Sequence, residues 1–82
     1  MPYLKAEVRR ELDSGRKPSS CGELNYAVTK MCVEYMAENP WTAYGTMNNV
    51  VGVLENVKLE MYRRLLAPFE DSKLAENGDV FR

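Results

Sequence analysis

Hydrophobic residues recur at helical spacing in three stretches of the chain. The first stretch repeats at every fourth residue, at Leu4, Val8 and Leu12, with charged residues between them. This pattern predicts a short amphipathic helix that ends near Asp13. Residues 14–20 are polar and include Gly and Pro, so we interpret them as a linker.

A second helix is predicted to begin after this linker. Ser20 is followed three residues later by Glu23, which matches a capping box at a helix N-terminus. The helix is expected to stop at Asn39, because a residue that precedes proline, here Pro40, is disfavoured in the helical conformation. The hydrophobic positions of this helix form one stripe: Leu24, Ala27, Val28, Met31, Cys32 and Tyr35.

A long third helix is predicted from about Thr42 or Thr46. Trp41 and Tyr44 would either pack the turn before it or line a site. Helical spacing of hydrophobic residues then continues over about five turns. The residues on this stripe are Met47, Val50, Val51, Leu54, Val57, Met61 and Leu65.

Pro68 is expected to kink or restart the chain, since a proline inside a helix removes a hydrogen bond and clashes with the preceding turn. A short final helix would follow, with Glu70 and Asp71 in its first turn and Gly78 at its C-terminal cap. We therefore predict a single all-α domain over residues 1–82. Its long third helix would pack as a hairpin against the second, with a short helix at each end.

Composition excludes most catalytic and metal sites. The chain has no histidine, so the usual partner base of a serine or cysteine nucleophile is missing. Cys21 and Cys32 alone cannot complete a four-ligand zinc site, and we expect both to be structural. Glu55 and Glu60 are spaced five apart, which does not place them on one helix face. We predict a protein that is not an enzyme and has neither cofactor nor metal.

Charge and hydropathy argue against nucleic acids and membranes as partners of this protein. The net charge of −1, with both signs mixed, argues against a general nucleic-acid coat, so we expect no DNA partner. No apolar stretch approaches the ~18 residues that would span a membrane, and we expect no signal peptide at the start of the chain. We predict a soluble cytoplasmic protein. Its small size leaves self-association as the expected source of extra stability.

Polar residues and a glycine on the third helix suggest that another helix or a ligand comes close to its backbone. Asn48, Gly52 and Glu55 share a face beside the apolar stripe. A glycine inside a helix costs roughly 1 kcal/mol relative to alanine, which is reasonable where another backbone or a ligand comes near. Two interpretations stay open: tight helix packing at Gly52 and Glu55, or a polar binding face.

Tyr62, Arg63 and Arg64 form the second candidate site. Arginines can bind phosphates bidentately, and a tyrosine can stack on a base. The alternative is a solvated helix face in which the two arginines pair with Glu60 and Glu70. The candidate ligand-binding residues are Arg63, Arg64, Tyr62, Tyr26, Asn25, Asn48 and Lys58.

From Asn48 to Val80 the sequence carries the pattern N-x3-G-x-LE-x2-K-x-E-x-YRR-x2-AP-x-ED-x-K-x2-ENGDV, preceded by Gly22-x-Leu24-Asn25-Tyr26 and by Thr29. It resembles a family of small uncharacterised proteins carried by phages, prophages and their hosts, a domain of unknown function. The resemblance implies a phage setting, in the cytoplasm of an infected or lysogenic bacterium, and no particular chemistry. Phe69 stands where that family commonly has tyrosine.

The layout is also similar to phage anti-defence sponges, which are small helical oligomers that sequester cyclic nucleotide signals. That likeness implies a homo-oligomer which binds a small nucleotide-type ligand between protomers. The alternative hypothesis is a helical module that docks on a host or phage protein and regulates or inhibits it. DNA-binding regulation is a third, weaker idea, which the mild acidity counts against.

Overall fold

The structure is a computed structural model that describes residues 2–39 and 43–81. All regular secondary structure in these residues is helical, which confirms the predicted all-α class. The predictions for Pro40, Trp41 and Thr42 lie outside the described residues. In chain order the elements are α1 (Ala6–Asp13), α2 (Cys21–Glu38), α3 (Ala43–Met61), a π-helical turn (Tyr62–Leu66) and α4 (Ala67–Asn77).

The chain divides into two compact units, Met1–Met47 and Asn48–Arg82. In the first unit α1 contacts α2. The hydrophobic side chains predicted for the first helix, Leu4, Val8 and Leu12, are all half-buried. A hairpin between α2 and α3 would join residues of both units, so that pairing and the single domain over residues 1–82 stay predictions.

α1 ends in a reversal that glycine permits. The N–H of Gly15 donates to the carbonyl of Leu12 at 3.1 Å, and the N–H of Arg16 donates to the carbonyl of Glu11 at 3.1 Å. This pair of bonds is the Schellman motif. The φ of Gly15 is +109°, in a region that costs other residues roughly 1–2 kcal/mol. The turn therefore fixes where Arg16 leaves the helix.

α2 begins at the predicted cap. The Oγ of Ser20 accepts a hydrogen bond from the N–H of Glu23 at 3.1 Å. In the usual capping box the glutamate would accept from the N–H of the cap residue itself. Here the carboxylate of Glu23 accepts instead from the N–H of Ser19, at 2.9 Å. The hydrogen bond that the glutamate accepts is thus shifted by one residue, from the cap residue to the residue before it. The start of the helix is as predicted.

A side-chain bond joins the end of α2 to the first turn of α3. The Oγ of Thr46 donates to the carbonyl of Asn39 at 2.6 Å, and the amide of Asn39 donates to the carbonyl of Tyr35 at 2.8 Å. These bonds satisfy carbonyls that a helix end leaves without partners. Thr46 is 3% exposed and is the one buried residue in the described part of the chain. Tyr44 is exposed and does not pack against this turn.

The predicted restart of the helix at Pro68 is wrong, whereas a kink there stays a prediction. Met61, Leu66 and Ala67 all have helical φ and ψ, so one helix runs from α3 through the π-helical turn into α4. The N–H of Ala67 donates to the carbonyl of Tyr62, five residues back. A proline ring in a regular α-helix presses on the carbonyl four residues before it. The wider π-helical turn just before Pro68 relieves that clash.

The end of this helix is as predicted. Gly78 caps α4 with a φ of +92°, and its N–H donates to the carbonyl of Leu74 at 2.9 Å. The final helix, which the sequence placed after a break, is therefore the last part of a longer one.

The predicted hydrophobic stripes exist but remain open to water. Among the described residues no hydrophobic side chain is buried. Along α3, Val51 and Leu54 are 64% and 40% exposed. Val50 and Cys32 are only half-buried. The hydrophobic side chains of the unit Asn48–Arg82 thus lie on the surface of its helix rather than in a core.

Candidate functional site

An open apolar groove surrounds the π-helical turn. Its volume is about 670 Å³, and its walls are hydrocarbon except for an ammonium group and a phenol. We call it the 58–69 groove, after the residues that line it: Lys58, Leu59, Met61, Tyr62, Leu65, Leu66 and Phe69. Phe69 is 58% exposed, so this surface is accessible in the single chain.

The π-helical turn lies in the middle of this groove. On an α-helical face the positions three, four, seven and eight after Met61 lie close to it, and these are Arg64, Leu65, Pro68 and Phe69. Of these four, Leu65 and Phe69 line the groove with Met61, whereas Arg64 and Pro68 do not. Leu65 therefore lies beside Met61, as the predicted hydrophobic stripe requires.

Tyr62 stands at the edge of the groove with its hydroxyl engaged. The hydroxyl donates to Oε1 of Glu70 at 3.2 Å. The negative charge of Glu70, and then this hydrogen bond, raise the pKa of Tyr62 above its ordinary value. The ring therefore stays neutral and has one face beside hydrocarbon.

Charged side chains continue along the same border. The Nζ of Lys58 lies 3.6 Å from Oε1 of Glu55, one helical turn away. At the other end of the groove the Nζ of Lys73 lies 5.8 Å from the centre of the Phe69 ring. Exposed contacts of this kind contribute little to stability, typically less than about 1 kcal/mol each. These contacts place three charged groups beside the groove, those of Glu55, Lys58 and Lys73.

The two arginines do not line the groove. The guanidinium of Arg63 donates to Oε1 of Glu60 at 2.7 Å, as in the solvated-face interpretation. Arg64 makes no hydrogen bond or ion pair with the residues that the structure describes. No cationic pocket therefore forms around this pair within the unit Asn48–Arg82.

The candidate residues of α2 make contacts within their own unit. The hydroxyl of Tyr26 donates to Oδ1 of Asp13 at 2.8 Å, which ties α2 to the end of α1. This hydrogen bond is also the main reason that the pKa of Tyr26 is raised. The amide oxygen of Asn25 accepts a bond from the hydroxyl of Thr29 at 3.1 Å. Both side chains thus have local structural partners.

On the long helix the candidate residues are spread out. Asn48 lies fourteen positions before Tyr62, which is about 21 Å at 1.5 Å per residue. Among the predicted ligand residues of the unit Asn48–Arg82, Lys58 and Tyr62 line the same groove. A Cβ added at Gly52 would meet nothing within 4 Å, so the space for a close approach is open. Glu55 pairs with Lys58.

Arg16 is a structural residue that the sequence analysis did not single out within the predicted linker. Its guanidinium donates to both carboxylate oxygens of Glu23, at 3.1 and 3.3 Å. Its Nε donates to Glu11 at 3.1 Å, so the side chain bridges α1 and α2. The sequence feature that could have predicted this bridge is Gly15. The turn at Gly15 places Arg16 next to the first turn of α2, where Glu23 lies.

Neither a metal centre nor a membrane span is found in the described part of the chain. No three His, Cys, Asp or Glu side chains there come together as a metal site. Cys21 is exposed and Cys32 half-buried, and both thiols are free. No helix within residues 2–39 and 43–81 combines the length and the hydrophobicity needed to cross a bilayer.

Comparison with known proteins gives a family and no chemistry. The family model described as Domain of unknown function (DUF6899) matches residues 1–80. The chain belongs to this family. The search of curated proteins found no match, and the search of solved structures found none either. The description of the family assigns no activity, so a function for this member can be inferred only from its own residues.

The bonds that Glu23 makes predict a stability that falls in acid. Arg16 foremost, and then Ser19, lower the pKa of Glu23 from its ordinary value of 4.5 to about 2. A carboxylate with a lowered folded-state pKa stabilises the fold above its unfolded pKa and loses that contribution as protons bind. We expect the urea midpoint, followed by circular dichroism, to fall between pH 4.5 and pH 2.

The Glu23→Gln variant should be less stable than the natural protein at pH 7 and should show a shallower fall in this range. Glu76→Gln is the matched control, because Glu76 only faces Lys73 at 3.5 Å on an exposed helix surface. An equally steep acid transition in Glu23→Gln would contradict this account of Glu23.

Proposed function

We propose that the protein is a non-catalytic interaction protein that docks the 58–69 groove of its long helix against a helix of a partner. The observation that carries this proposal is the exposure of the groove: Leu65 and Phe69 are 64% and 58% accessible to water. Association with a partner removes such apolar surface from water, which is the main favourable term in protein–protein binding.

The composition of the groove supports a protein partner. Interface centres are typically apolar and enriched in aromatic residues and Met, with polar groups at the rim. Met61 and Phe69 supply such a centre, and the phenol of Tyr62 lies at the edge. Glu55 and Glu70 lie beside that edge through their contacts with Lys58 and Tyr62. A helix is the fitting ligand for a groove of this kind.

The setting of the proposal comes from the resemblance of the Asn48–Val80 pattern to phage and prophage proteins. In that setting the protein works in the cytoplasm of an infected or lysogenic bacterium. Its partner is then a host or phage protein, or another copy of itself, and binding regulates or inhibits that partner. The absence of histidine agrees with a role that depends on binding alone.

A charge placed inside the groove should abolish docking. We expect Leu66→Asp to weaken binding to protein partners, itself included, by about 30-fold or more, because a buried interface side chain commonly contributes ~2 kcal/mol. Partners would be identified by crosslinking in extracts of infected cells and their affinities then measured with purified proteins. Leu74→Asp is the control, since Leu74 is exposed on α4 outside the groove. Equal affinities for both variants would contradict docking through the groove.

A second candidate function is a nucleotide sponge that assembles from several copies. The observation in its favour is that Arg64 has no partner in the described part of the chain, while Tyr62 and Lys58 share the groove edge. A free guanidinium suits a phosphate, and a neutral ring beside a cation suits a base. The ligand class would be a cyclic nucleotide.

Native mass spectrometry separates this candidate from the first. Under the sponge hypothesis the protein takes up a fixed number of intact ligands from a panel of cyclic mono-, di- and trinucleotides. Arg64→Ala should then lose at least about tenfold in affinity, the size expected for one charge-assisted contact. Arg10→Ala, on the exposed face of α1, should bind normally. No uptake would reject the sponge, and degraded ligand would point to an enzyme.

A further inference from the structure

Four charged residues border the 58–69 groove, and the structure places each of them. Lys58 lines the groove, and Glu55 forms an ion pair with it at 3.6 Å. Beyond the middle of the groove, Glu70 accepts the hydroxyl hydrogen of Tyr62 at 3.2 Å. Lys73 lies over the ring of Phe69 at 5.8 Å. The border therefore reads acid, base, acid, base along the helix.

Within one chain Lys58 pairs with Glu55 and Lys73 pairs with Glu76, in exposed ion pairs of 3.6 and 3.5 Å that contribute little to stability. The pairs Lys58 with Glu70 and Glu55 with Lys73 are too far apart to form within one chain. Lys58 and Glu70 are separated by twelve positions, about 18 Å along a helix. Glu55 and Lys73 are separated by eighteen positions, about 27 Å. Each long-range pair has opposite charges, and both pairs are centred on the same residue, Arg64.

Two pairs of groove residues are arranged about the same centre, whereas Met61 and Leu65 have no counterpart in the groove across it. Leu59 and Phe69 are equally distant from position 64, and so are Tyr62 and Leu66. A twofold axis near this position would therefore set Leu59 of one copy opposite Phe69 of the other. Twofold symmetric interfaces need this self-complementarity, because each residue on one copy must suit its counterpart on the second.

Helix direction follows from the charges. In a parallel pair in register, each charged residue would face the same residue of the second copy. This would create four contacts between like charges, at Glu55, Lys58, Glu70 and Lys73. In an antiparallel pair centred on position 64, Glu55 faces Lys73 and Lys58 faces Glu70. Opposite charges across a helix interface set orientation and partner choice.

We propose that a second copy of this chain covers the 58–69 groove, with the two helices antiparallel and a twofold axis near Arg64. The inference rests on the proposed function, which takes this groove as the docking surface, and it names the partner. Arg64 itself does not line the groove, so the arginines of the two copies stay at its outside. Four opposite-charge pairs then surround an apolar centre.

Charge reversal tests both partner and direction. The dissociation constant of the full chain would be measured by analytical ultracentrifugation for the natural protein, Lys58→Glu, Glu70→Lys and the double variant. Each single reversal turns two pairs of the dimer into like-charge contacts, so dimerisation should weaken about tenfold. The double reversal restores opposite charges and should return to within about threefold of the natural protein.

Glu60→Lys is the matched control, since Glu60 lies on the same helix outside the groove and should leave dimerisation unchanged. Circular dichroism of each variant separates lost association from lost helix. A natural protein that stays monomeric at 100 µM or above would overturn the self-pairing and leave docking on a different protein standing. A dimer in which the double reversal fails to recover would overturn the antiparallel register. If neither the charge reversals nor Leu66→Asp weakened binding to any protein partner, the groove would be rejected as a docking surface.

Discussion

A long helix with apolar side chains on one face is stabilised when that face is buried against another surface. This constraint governs the unit Asn48–Arg82. The 58–69 groove is lined by Met61, Leu65 and Phe69, and more than half the surface of each of these side chains meets water. Isolated helices draw little stability from propensity alone and depend on burial of their apolar face. Folding and binding are therefore linked here: the contact that stabilises the helix is the contact that performs the proposed role.

The π-helical turn is the local device on which that contact depends. Pro68 would crowd the carbonyl of Arg64 in a regular helix, and the turn Tyr62–Leu66 accommodates it without ending the helix. The same turn contributes Tyr62, Leu65 and Leu66 to the 58–69 groove. Because the proline is accommodated, the helix and the apolar surface on it stay continuous.

Local chemistry explains which features the sequence could predict. Ser20 and Gly78 cap helices through bonds to residues three and four positions away, and both were predictable. Pro68 was not, because the rule that proline breaks a helix overlooks the π-helical alternative. The bridge by Arg16 depends on how the turn at Gly15 aims its side chain. Of the predicted ligand residues in the unit Asn48–Arg82, Lys58 and Tyr62 line one groove, whereas Arg63 pairs with Glu60 and Arg64 lies outside the groove. Spacing alone does not encode this division.

The most direct test of the central claim is hydrogen exchange of the backbone amides of residues 58–69, measured across protein concentrations. If the groove is a docking surface for a second copy, these amides should become more protected as concentration rises from nanomolar to high micromolar. Amides in α1, which serve as the internal reference, should change less. Exchange at residues 58–69 that is equally fast at every concentration would contradict the claim for self-association.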